Sequence, residues 1–90
     1  MMLQYYAAYY SHEDSPWIMA KVLDFPGTVS QGRTLRSARR MIRDALQLMA
    51  EGLVERGQPL PCPNPRAKDK RAIFMEPIEL QVRVRARAAS

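Results

Sequence analysis

Ninety residues are enough for one domain and exclude two. The composition, 47% hydrophobic and 26% charged with seven Pro and four Gly, is that of a folded globule. It excludes disordered, collagen-like and disulfide-framework chains. Fourteen Lys and Arg, eleven of them Arg, against nine Asp and Glu give a net charge of +5, which permits an anionic partner without specifying one.

Cys62 is the single cysteine and His12 the single histidine. No internal disulfide can form, and thiolates and imidazoles cannot assemble a zinc site, so a reducing compartment and no metal or cofactor are expected. Met1 to Tyr10 is apolar but lacks a basic leader and a small-residue cleavage site, so it reads as a strand. No apolar run approaches the about 18 residues that a membrane helix requires. The expected location is the cytoplasm, with no membrane partner.

In chain order, residues 3–10 are rich in tyrosine, which suits a pleated surface, and 17–23 form a second such run. The polar stretch 11–16 between them predicts a hairpin with a loop of about six residues. The first strand is apolar on both faces, with Leu3, Tyr5, Ala7 and Tyr9 on one and Tyr6, Ala8 and Tyr10 on the other. One covering helix needs only one apolar face. The surplus predicts that a second copy of the chain covers the other, with self-association at Tyr6, Tyr10, Trp17 and Met19.

Asp24-Phe25-Pro26-Gly27 is a turn, Thr28-Val29-Ser30 a short third strand and Gln31-Gly32 a second turn. Thr34 is a suitable N-cap for a helix running from Leu35 to about Arg56. Leu35, Ala38, Met41, Ile42, Ala45, Leu46, Met49 and Leu53 recur at spacings of three and four and form one apolar stripe. Gly57 is placed to end the helix. Pro59, Pro61, Pro63 and Pro65 alternate and impose an extended connector over 59–72. A stiff return across the sheet is the expected use, ahead of docking in a proline-reading groove. After it, Ile78, Leu80, Val82, Val84 and Ala86 alternate with Glu79, Gln81, Arg83, Arg85 and Arg87, the pattern of a strand with one apolar and one basic face. Ile73-Phe74-Met75 is a lead-in interrupted by Pro77. The order is β-β-β-α-β, an α+β fold in a single domain over 1–90.

Tyr5-Tyr6, Asp24-Phe25-Pro26-Gly27, Val29-Ser30-Gln31-Gly32, Thr34-Leu35, the helix with Glu51-Gly52-Leu53, and the exit Gly57-Gln58-Pro59-Leu60-Pro61 occur in an order that resembles the HicB-like antitoxin family. The resemblance covers about residues 5–65. It implies a partial ribonuclease-H-like fold, a small antiparallel sheet with one helix on a face, and assembly into dimers or higher oligomers. It also implies a partner: a small HicA-type toxin that cleaves mRNA and is neutralised when its active surface is covered. Phe25, Pro26, Gln31, Arg36, Arg40 and Arg43 are the positions expected to meet that partner.

Two features depart from the family pattern. Many members carry a carboxy-terminal DNA-binding module, and this sequence ends after the last strand, so a short form without operator binding by the usual route is expected. Family helices are commonly acidic, whereas this one carries Arg36, Arg39, Arg40 and Arg43, which alters the charge match to a basic toxin.

No catalytic constellation is legible. Two-metal hydrolysis needs converging carboxylates, and Glu13, Asp14, Asp24, Asp44, Glu51 and Glu55 are scattered over loops and helix. Cys62 and His12 lack a third member, and the four glycines have no phosphate-binding spacing. The chain is expected not to be an enzyme. The competing function is nucleic-acid binding through the arginine rows of the helix and last strand, with Arg40 partly offset by Asp44 one turn on.

Overall fold

A computed structural model describes residues 2–82. The elements follow the expected order: β1 (Met2–His12), β2 (Ser15–Val22), β3 (Val29–Gly32), α1 (Leu35–Glu55) and β4 (Phe74–Gln81). They form one four-stranded antiparallel sheet in the order β3-β2-β1-β4, with the helix on one face.

The register sorts the residues between the faces. Tyr9 stands opposite Ala20 and Ala7 opposite Val22, while Tyr5 faces Ile78 and Leu3 faces Leu80. These side chains share one face because side-chain direction alternates along each strand. Onto them α1 lays Ala38, Ile42, Leu46 and Ala50, spaced by four, and all are fully buried or nearly so. Phe25 closes the end of this core, its ring edge-on to Tyr5 at 5.2 Å.

Local chemistry sets the helix ends. The Thr34 hydroxyl accepts a hydrogen bond from the Ser37 N–H at 3.0 Å, as an N-cap should. At the other end Gly57 takes a positive φ of 66°, its N–H bonds the Val54 carbonyl, and the Gln58 N–H bonds the Leu53 carbonyl. That is a Schellman closure, which favours glycine because a Cβ strains the left-handed conformation. Gly32 is needed for a different reason. A Cβ there would collide with the backbone nitrogen of Ala38, so glycine lets the helix start directly over the end of β3.

Four details differ from the sequence reading. The hairpin turn is only Glu13-Asp14, because the strands continue through the polar residues to a bulge at Ser11/His12. Gln31 and Gly32 belong to β3 rather than to a turn, pairing with Met19 and Ile18. Pro77 does not interrupt β4 but lies within it. Among the described residues β4 pairs with β1 alone, and an edge strand tolerates a residue that cannot donate to a ladder. Arg40 and Asp44 form no ion pair; the ion pairs among the described residues join Arg39 and Arg43 to Glu76, and Arg71 to Asp69. The alternation expected to continue through Arg83, Val84, Arg85, Ala86 and Arg87 lies outside the described residues.

Candidate functional site

The surfaces available for binding follow from what covers each side of the sheet. The connector is tied down at three points, the first from the helix face of the sheet and the other two toward its far side. The Tyr5 hydroxyl donates to the Pro61 carbonyl at 2.7 Å, at the end of the sheet. Asp24 then accepts from the Tyr6 N–H at 2.9 Å through Oδ1 and from the Asn64 N–H at 2.8 Å through Oδ2. Further along, the Tyr10 hydroxyl donates to Asp69 Oδ2 at 2.8 Å. Burial and that carboxylate push the Tyr10 phenol up to about 12. Between Tyr6 and Tyr10, Ala8 is fully buried. These bonds bring residues 64–69 to the β1 part of the face that the sequence assigned to a second copy.

The β2–β3 part of that face is uncovered. Trp17, Met19 and Val29 are 38%, 53% and 57% exposed, and the Arg33 guanidinium lies 5.2 Å above the Trp17 ring. Lys21 and Gln31 are exposed in the same region. Among the described residues, β3 at the edge pairs with β2 alone and presents unpaired backbone groups over only four residues.

The helix arginines divide into two pairs. Arg39 forks onto Glu76, with Nε and one terminal nitrogen each 2.9 Å from a carboxylate oxygen, and Arg43 reaches the same carboxylate at 3.4 Å. The Tyr9 hydroxyl donates to Glu76 Oε2 at 2.6 Å. Glu76 has only 12% of its side chain exposed. Burial works to raise its carboxyl, but hydrogen bonds from Arg39 and Tyr9 and the charge of Arg43 outweigh it, so the group is held below its ordinary value. The Tyr9 phenol is shifted upward, first by burial and then by the carboxylate it serves. Arg39 and Arg43 are thus tied to β4. Arg36 and Arg40 remain exposed and enter no ion pair among the described residues.

Of the positions expected to meet a partner, Pro26, Gln31, Arg36, Arg40 and Arg43 are exposed, but Phe25 is 1% exposed and is a core side chain. Of those expected in self-association, Trp17 and Met19 are exposed, whereas Tyr6 and Tyr10 are half-buried. Cys62 lies exposed in the connector, and the His12 Nδ1 accepts from the Asp14 N–H within the hairpin turn. Among the described residues, no group of three His, Cys, Asp or Glu could hold a metal ion. A cleft of about 300 Å³ beside β4, lined by Gln4, Arg43, Pro77, Ile78 and Glu79, is open to solvent.

Sequence reasoning missed Glu76, Asp69 and the clamp role of Asp24. For Glu76 a signal existed: it is in phase with Ile78 and Leu80, and a charged residue in phase with buried ones needs a partner inside. Asp24 meets Tyr6 and Asn64, and Asp69 meets Tyr10 as well as nearby Arg71; the contacts with β1 and across the connector span 18 to 59 positions, so local spacing carried no sign of them.

No protein-family model matches the sequence, and no curated protein matches it. Solved structures do. The N-terminal domain of the Burkholderia pseudomallei antitoxin HicB aligns over 91% of this chain and all of that one, with 20% identity and a TM-score of 0.63. The longer HicB structure from the same organism aligns over 89% of this chain at 21% identity and a TM-score of 0.66, and this chain spans 63% of its length. A chain of the HicA3 and HicB3 toxin-antitoxin complex aligns over 91% of this chain and all of that one, at 17% identity and a TM-score of 0.57. The four-stranded antiparallel sheet with one packed helix is thus the fold of the HicB antitoxin N-terminal domain.

Proposed function

We propose that this chain is a binding protein of antitoxin type, acting without catalysis in the cytoplasm, and that it neutralises a small HicA-type RNA-cleaving toxin by covering its active surface. The observation that supports this reading is the alignment, over 91% of this chain, with a HicB N-terminal domain and with a chain from a HicA3–HicB3 complex. The ordered sequence motifs point the same way. For the toxin we assign the uncovered β2–β3 part of the sheet, with Trp17, Met19, Val29 and Gln31 and the adjoining Pro26. There apolar side chains and an open strand edge stand together, which is the combination that strand addition uses.

Tagged protein co-expressed with the product of the neighbouring gene tests this. A stoichiometric complex that suppresses RNA cleavage by that product, and that is lost with Met19→Glu, is the expected result. A second reading, nucleic-acid binding, draws on the exposed Arg36 and Arg40 and on the Trp17 ring beneath Arg33. Salt-dependent RNA binding by a chain that captures no protein partner would select it.

A further inference from the structure

The solvent face of α1 is charged against its own dipole. Stepping along the side opposite the buried Ala38, Ile42, Leu46 and Ala50, the residues are Arg36, Arg40, Asp44, Leu48, Glu51 and Glu55, all exposed. The first turn contains no acid and the last turn no base. Cations near a helix N-terminus and carboxylates near its C-terminus are each disfavoured by the dipole, most of all in the end turns that hold Arg36 and Glu55. Within the chain, Glu76 accounts for Arg39 and Arg43, which lean toward β4. Nothing in the described residues accounts for the rest: Arg36, Arg40, Asp44, Glu51 and Glu55 enter no ion pair, and the one side-chain hydrogen bond among them joins Glu51 to Gln47. In the middle of the row, Leu48 is 72% exposed, more than any other large hydrophobic side chain described, and the neighbouring Met41 is 40% exposed.

We propose that this face pairs with itself, the α1 helices of two copies packing antiparallel about a two-fold axis between Ala45 and Leu46. Arg36 and Glu55 stand equally far from that midpoint, and so do Arg40 and Glu51. The axis therefore sets Arg36 against Glu55 of the second copy and Arg40 against Glu51 of the second copy, each contact made twice by symmetry. The two Leu48 side chains meet about 7.5 Å apart along the axis, within reach of each other and of Met41. The dipoles run antiparallel, and each misplaced charge gains a counter-charge. This arrangement differs from self-association through the sheet, leaves the β2–β3 face free, and does not depend on the antitoxin reading.

One residue of the row gains nothing. The two Asp44 side chains come within about 4.5 Å along the axis, like charge to like charge. That gives the proposal a prediction which a basic partner on the same acidic residues would reverse.

Sedimentation equilibrium of the full chain, with circular dichroism to confirm folding, tests it. The wild type is expected to dimerise. Arg40→Glu and Glu51→Arg are each expected to weaken the dimer by about tenfold, since symmetry breaks two contacts. Leu48→Glu removes it. The double variant Arg40→Glu/Glu51→Arg restores wild-type affinity, because the pairs reform with reversed polarity, and Asp44→Asn tightens the dimer. A wild type that stays monomeric, a double variant that fails to recover, or a dimer that survives Leu48→Glu and falls to Met19→Glu would each overturn the proposal.

Discussion

The two faces of the sheet are covered by different physics. The helix side is closed by interdigitated apolar side chains, Ile42 and Leu46 against Tyr5, Ala7, Ala20, Val22 and Ile78, with essentially no exposure. The far side is closed only in part, by a proline-stiffened segment held through side-chain hydrogen bonds at Asp24 and Tyr10. Apolar packing is non-directional and spread over many contacts. A tethered strap depends on a few directional bonds, some of them accessible to water. A small α+β domain with one helix can thus cover a doubly apolar strand without a partner, if a stiff connector is led across it.

The contrast sharpens under substitution. Ile42→Ala, on the helix side, deletes side-chain carbons from a fully buried site and is expected to cost about 3 kcal/mol in chemical denaturation. A cost below about 1 kcal/mol would mean the helix packs loosely and the two faces are alike.

Glu76→Gln comes next, because Glu76 joins helix to sheet by charge rather than by packing. Loss of the carboxylate leaves Arg39 and Arg43 without their counter-charge and is expected to cost about 2 kcal/mol. The pH dependence has a definite sign. The folded carboxyl titrates below its ordinary 4.5, so its stabilisation is fully present above that value and is lost as pH falls through the lower, folded one. Denaturation midpoints of the wild type should fall in acid below about pH 4.5, and those of Glu76→Gln should fall less.

The smallest effect is expected on the strap. Asp24→Asn retains the side chain's shape but replaces one of the two acceptor oxygens with a donor, so one of the Tyr6 and Asn64 N–H groups loses its partner. About 1 kcal/mol is expected, together with faster amide exchange at Asn64 and around Ala8 and no change at Ile42. Exchange that rises equally on both faces would erase the distinction between them.

Much of the fold was legible because it rests on short-range signals. The helix limits follow from Thr34 and Gly57, whose preferences act within one turn. The buried stripe follows from spacing, though Met41 and Met49, counted within it, lie at its margins with 40% and 38% exposure. The candidate binding surface was less legible. Whether Trp17 or Tyr6 stays uncovered depends on where residues 59–72 run, and Phe25 belongs to a motif but turns inward against Tyr5.

Element order, the helix with its caps and the alternation of the strands follow from the amino-acid order alone, because periodicity and capping are properties of neighbouring residues. Which part of the far face is covered, which arginines are tied to Glu76 and which lack a counter-charge among the described residues emerge only on folding. Those outcomes rest on contacts between residues 33 to 67 positions apart, such as Arg43 with Glu76 and Tyr9 with Glu76. Whether two such residues meet is set by sheet order and packing, which no local pattern encodes.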